Sequence, residues 1–194
     1  MEDKELESRV FHGDGAKELS DLQASISNLE RVIKACALFI ASNDPAIKTA
    51  CFDSALINYR RAFNSGVHKG VKLSIFDSFH PSAKEFHELC IKMANKHIAH
   101  SVNAFEEIQV AILALNGAVH GVSTFSSRLM HWRDEGILQL QSLCNMILSV
   151  LRPEADSLSD RVLAAASMLS PEEIDLLKLS RYTAPGPEAS GIKR

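Results

Sequence analysis

Little in this chain bends, staples or anchors it. Six prolines and nine glycines among 194 residues exclude a collagen-like or low-complexity protein, and 46% apolar against 23% charged residues excludes a disordered one. The sequence has no run of 18 apolar residues, so no segment reads as a membrane-spanning helix. Met1-Glu2-Asp3-Lys4-Glu5 lacks the basic, then apolar, entry of a signal peptide. Cysteines 36, 51, 90 and 144 form no C-x-x-C pair and sit among apolar neighbours, which points to reduced, mostly buried thiols and a cytoplasmic location. A Gly-rich phosphate loop, a G-x-S-x-G elbow and an H-E-x-x-H helix are also missing, so the common nucleotide, serine-hydrolase and zinc-protease signatures do not apply.

What is present is a mainly α pattern. Leu19, Leu22, Ile26, Leu29, Ile33, Cys36 and Ile40 recur every three or four residues, predicting an amphipathic helix over 16–40. Asp44 as N-cap and Pro45 at the first helical position open a second helix that runs to about Phe63. Residues 65–80 read as a connection in which Val71–Ile75 has room for a short extended piece. Pro81, capped by Ser78 or His80, starts a third helix reaching roughly Ala99. Ile108–Leu115 and Val119–Phe125 flank Asn116-Gly117, the preferred type I′ turn pair, and predict an inserted β-hairpin. A helix over 127–151, carrying Leu129, Trp132, Ile137, Leu140, Cys144, Ile147 and Leu151, is expected to end before Pro153. Two short helices, 155–169 and 171–179 with Ser170 as N-cap, and a disordered tail follow. The expected organisation is an acidic segment at 1–15, a helical domain at 16–152, short helices at 153–180 and the tail at 181–194.

The formal net charge of −3 hides an uneven distribution. Residues 1–30 carry −5 and 153–180 carry −4, whereas 31–152 carry +4. Within that middle, Ser54–Phe76 holds Arg60, Arg61, Lys69 and Lys72 with no acid, and Leu89–Phe105 holds Lys92 and Lys96 with none. Two acid-free windows of this kind suit one anion site. On a continuing α-helix Lys92, Lys96 and His100 form a polar stripe about 12 Å long, with an imidazole placed for general acid or base work.

These residues resemble the HEPN domains of abortive-infection and toxin–antitoxin proteins. Members of that branch show Arg-Asn-Lys-x-x-Ala-His-Ser near a helix end, and this chain reads Ala94-Asn95-Lys96-His97-Ile98-Ala99-His100-Ser101. The run Tyr59-Arg60-Arg61-Ala62-Phe63 is similar to the Tyr-x-Arg-x-Phe pattern upstream, so the resemblance covers roughly residues 18–152. It implies a HEPN-like antiparallel helical bundle, a homodimer with a paired site, and binding of RNA or a nucleotide ligand. An antitoxin or regulatory protein is a further implied partner, and no cofactor or metal is. In catalytic members the motif Arg-x(4–6)-His cleaves RNA without metal, the Arg clamping phosphate and the His handling protons. Carried over, His100 is the acid or base, Asn95 orients it or the substrate, and Lys96, Lys92, His97 and Arg60 or Arg61 hold phosphate. Ala94 stands where the motif has its Arg, which opens the alternative of an inactive HEPN-like interaction or regulatory module.

Plainer readings stand beside these. A polar helix end with two lysines and two histidines also describes a solvated surface, and Arg60 and Arg61 also suit a helix C-terminus as dipole-compensating cations. His87-x-x-Cys90 and His97-x-x-His100 are two turns apart, too far for one zinc, which leaves His97 and His100 with distant carboxylates as the remaining metal arrangement. Arg61 to His68 satisfies the motif by count but has Gly66 inside it. A last option is a helical adaptor that dimerises through the stripes of 16–40 and 127–151.

Overall fold

A computed structural model describes residues 7–64, 68–98, 106–128 and 131–180. The fold is mainly α with one β-hairpin. Helix α1 (Ala16–Ala41) packs along α2 (Pro45–Phe63) on one side and along α4 (Asp134–Ala166) on the other. Helix α3 (Pro81–Met93) leans on α2 and runs on into a π-helical turn, Ala94–Ile98. Strands β1 (Glu106–Leu115) and β2 (Ala118–Arg128) follow, and a short α5 (Pro171–Leu176) comes after α4.

The core forms where the apolar stripes of α1, α2 and α4 meet. Leu29, Val32, Cys36 and Phe39 from α1 pack with Phe52, Leu56 and Tyr59 from α2 and with Ile137, Leu140, Cys144, Ile147 and Leu148 from α4. The buried face of α1 is turned slightly from the expected one: Val32 and Phe39 are inside, while Ile33 is half-buried and Ile40 exposed. The stripes of α1 and α4 therefore cover each other within one chain, which occupies the surfaces that an adaptor dimer through these two helices would use. Phe52 and Phe86 close around Trp132, with ring centroids 5.3 and 5.5 Å away. Cys36, Cys90 and Cys144 are buried and Cys51 half-buried, none of them bridged. Burial pushes the Cys36 thiol up to about 12 and raises Cys90 and Cys144 as well, so all three stay protonated and unreactive.

Local signals place the helix starts. The Asp44 carboxylate accepts from the Ala46 N–H at 2.8 Å ahead of Pro45, and Ser170 with Glu173 forms a capping box ahead of Pro171. His80, rather than Ser78, caps α3, its Nδ1 accepting from the Ser82 N–H. The hairpin turns on Asn116 and Gly117 with φ of 51° and 81°, the positive values that a type I′ turn demands at both positions.

Three expectations are corrected. The segment 73–78 is a 3-10 turn rather than an extended piece, and it brings Phe76 into the core. The third helix is α-helical only to Met93, beyond which the π turn takes over. Pro153 does not end a helix: α4 runs through it, so the expected helices at 127–151 and 155–169 are one element starting at Asp134. Pro153 lies on the solvent side, where water can serve the carbonyl its ring leaves unbonded, while Leu148, Leu151 and Ala155 carry the buried stripe across the interruption. Burying such side chains contributes about 1.5–3 kcal/mol each for the larger ones, enough to offset the roughly 3 kcal/mol that an interior proline costs. Residues 8–10 and 175–180 meet as well. Arg9 donates to the carbonyls of Asp175 and Leu177, Val10 N–H to Lys178, and Ser180 N–H to Ser8, an antiparallel clasp no sequence pattern announced. The tail expected at 181–194 lies outside the described residues.

Replacing Pro153 by Ala restores one helical hydrogen bond without altering a buried contact. Urea denaturation is expected to show the Pro153→Ala chain more stable by about 1–3 kcal/mol.

Candidate functional site

The candidate site is built where the last turn of α2 meets α3 and its π turn. Tyr59, near the end of α2, is fully buried, and its hydroxyl is hydrogen-bonded to Nδ1 of His87 on α3 at 2.9 Å. The His87 ring packs against Phe63 and Phe76, with centroids 4.4 and 4.6 Å away. Burial lowers the His87 pKa to about 4, outweighing the opposing pull of Glu88. The imidazole is neutral at pH 7, so one ring nitrogen carries a proton and the other accepts, and the tautomer sets which of Tyr59 and His87 donates. This pair fixes α3 against α2; buried in an aromatic box, it is a structural pair rather than a proton-transfer pair.

One residue along, Arg60 presents the polar rim of the same contact. Its Nε is buried and has no hydrogen-bond partner among the described residues, and Oδ1 of Asn95 in the π turn is in the same state. Both residues are half-buried overall. Arg61, about 100° round the helix, is exposed, whereas Arg60 is half-buried. Lys92 and Lys96 are exposed on the same arm. The π turn closes i→i+5 hydrogen bonds and under-rotates the chain, so the continuous α-helical stripe of Lys92, Lys96 and His100 is corrected to two lysines separated by a change of helical pitch. Residues 99–105, and with them His100 and Ser101, lie outside the described residues, as does the side chain of His97.

Ala94 is fully buried, packed in the core at the first position of the π turn. The position that the HEPN resemblance assigns to the phosphate-clamping Arg thus faces inward here. A guanidinium cannot be restored there without breaking the packing of α3.

A second polar cluster escaped the sequence reading. Asp21 on α1 is buried, yet its carboxylate takes hydrogen bonds from Lys17, from His68 Nδ1 at 3.0 Å and from the Lys69 backbone. These bonds, Lys17 foremost, hold its pKa below the usual value against the opposing effect of burial. Asp21 borders a cavity of about 640 Å³ between α1, α4 and the 69–78 connection, lined also by Lys69, Lys72, Glu18 and Glu154. Lys69 and Lys72 line this cavity whereas Arg60, Lys92 and Lys96 do not, so the first acid-free window is divided between two places. The available signal was Asp21 and Ser25, spaced four apart on the face that also carries Leu29, Val32 and Cys36; polar residues on a buried stripe mark a built interaction. Ser25 Oγ bonds the carbonyls of Asp21 and Ala62. No group of three His, Cys, Asp or Glu side chains among the described residues is arranged to hold a metal, and His87 and Cys90 are both spent in the core.

Two outcomes follow. A folded His87 pKa of about 4, against 6.5 in the unfolded chain, means that the unfolded state binds a proton first as pH falls. The stability due to neutral His87 is complete above pH 6.5 and drains away between 6.5 and 4, at up to about 1.4 kcal/mol per pH unit. Urea midpoints measured from pH 7.5 to 4 are expected to fall through that window in the natural chain and to flatten in His87→Gln, which keeps a hydrogen-bonding partner for Tyr59. Ala94→Arg is expected to lose about 3 kcal/mol or more in the same assay, since it overfills the core and buries an unpaired charge.

Comparison with family models, with curated proteins and with solved structures gives no match to this chain.

Proposed function

We propose that this chain is a HEPN-like RNA-binding protein of the defence or toxin–antitoxin type, working as a homodimer, with the end of α2 and the π turn as its phosphate-binding surface. The observation that carries the reading is the buried, unpartnered Arg60 Nε and Asn95 Oδ1 at one junction, beside exposed Lys92 and Lys96. A buried donor and acceptor without partners are unusual in a folded chain, which marks this junction as a place for a polar ligand. The guanidinium offers a planar fork for a phosphate, the lysines offer point charges along the backbone, and the Asn amide can read a base edge or a ribose hydroxyl.

In the catalytic form of this reading, the ribose 2′-hydroxyl attacks the adjacent phosphorus as His100 handles its proton or that of the departing 5′-oxygen. The P–O5′ bond breaks and a 2′,3′-cyclic phosphate remains. A buried Ala94 favours a second reading, in which the same surface binds RNA without cleaving it and the chain serves as an interaction or regulatory module, with an antitoxin-like protein as its partner. Losing one preorganised charge at a phosphoryl transition state costs on the order of 10²–10³ in rate.

One experiment separates them. Single-stranded RNA is incubated with the natural chain and with His100→Ala in chelator, and binding is titrated against salt for Arg60→Ala and Lys96→Ala. Cleavage that falls about 100-fold or more in His100→Ala establishes the nuclease. Binding that weakens in both cation variants with no cleavage in either chain establishes the module. The absence of salt-sensitive binding overturns both.

A further inference from the structure

The hairpin is the part of the chain that nothing in its own fold explains. A ten-residue strand makes an arm about 34 Å long, and none of residues 107–126 is buried. Its large side chains are apolar and open to solvent: Ile108, Val110, Ile112, Val119 and Val122 each show 62–72% of their surface. The pairing register puts them together. Ile112 lies opposite Val122, Val110 opposite Thr124, Ile108 opposite Ser126 and, past a bulge that leaves His120 unpaired, Ala114 opposite Val119. Residues directly opposite share a face, so one face of the ribbon is a continuous β-branched sheet surface. The other carries Glu107, Gln109, Ser123 and Gly121 among its apolar residues.

We infer that this face is a self-association surface, covered by the same face of a second copy of the chain across a two-fold axis. Three observations select that occupant. First, the twenty residues from Ile108 to Ser127 include no Asp, Glu, Lys or Arg. A neutral face can lie on its own copy without setting like charges together, and it offers nothing to a charged partner. Charged gatekeepers stand only at the base of the ribbon, at Glu106, Glu107 and Arg128, and none interrupts the run between them. Second, the face exposes roughly 600–700 Å² per chain, close to the approximately 800 Å² per partner of a stable interface. Third, a two-stranded ribbon is marginal alone in water, and stacking two of them at about 10 Å gives the face its missing layer. A lipid surface is disfavoured because both outer edges of the ribbon present unpaired backbone groups, which hydrocarbon does not tolerate and water does.

The inference deepens the homodimer of the reading above and needs nothing of its RNA chemistry, so it is tested without RNA. Light scattering on the full chain is expected to give the mass of two chains at about 100 µM. Val110→Lys with Val122→Lys is expected to raise the dissociation constant at least about 100-fold with helical circular dichroism unchanged, and the near-isosteric Val110→Thr with Val122→Thr at least about tenfold. Gln109→Lys, on the opposite face, is expected to leave the dimer intact. A natural chain that is monomeric at that concentration overturns the inference, as does a dimer that survives both valine pairs. A monomer that instead sediments with phosphatidylcholine vesicles overturns it in favour of lipid. Loss of RNA binding in a chain that still dimerises counts against the functional reading alone.

Discussion

The hydrogen bond between Tyr59 and His87 is the constraint on which the placement of the site depends. Helices α1, α2 and α4 hold one another through broad apolar faces, but α3 buries only a narrow strip of His87, Cys90, Met93 and Ala94. Within that strip the one polar side chain is His87, and its bond to Tyr59 sets both the rotation and the height of α3 on α2. Phe63 and Phe76 exclude water from the bond, which strengthens it and keeps the imidazole neutral. Where α3 is fixed, the π turn that follows is fixed, and with it Asn95 and Lys96 beside the end of α2.

The same arrangement explains why a motif can be present in order yet altered in space. Asn95 and Lys96 sit on the rim, whereas Ala94 is drawn into the core. The neighbouring α2 contributes a partly sunken guanidinium, Arg60, so positive charge is supplied to the junction from another element rather than from position 94. The cavity beside Asp21 is a second polar locus, supported by Lys17 and His68, and its lining includes no residue of the π turn.

Much of the helical framework was legible because it rests on local physics. Asp44-Pro45, Ser170-Pro171 and Asn116-Gly117 each impose a backbone state on their own residues, and α1, α2 and the hairpin appear where periodicity and turn chemistry put them. Pro153 was misleading for an equally physical reason. The cost of a proline is local, but the burial that offsets it comes from Leu148, Leu151 and Ala155 meeting the neighbouring helices. In the site, the residue types at 60, 95 and 96 were readable, while the partners that bury Arg60 Nε and Asn95 Oδ1 were not.

From the sequence alone come the helix stripes, their caps, the type I′ turn and the uncharged run from Ile108 to Ser127, all properties of residues close together in the chain. Tertiary packing decided that α4 is unbroken, that Ala94 points inward, that Arg60 rather than Arg61 is drawn partly inside, and that Lys69 and Lys72 line the cavity beside Asp21. Each of these depends on contacts between residues dozens of positions apart, where the free energy of burial outweighs any preference that a single segment expresses by itself.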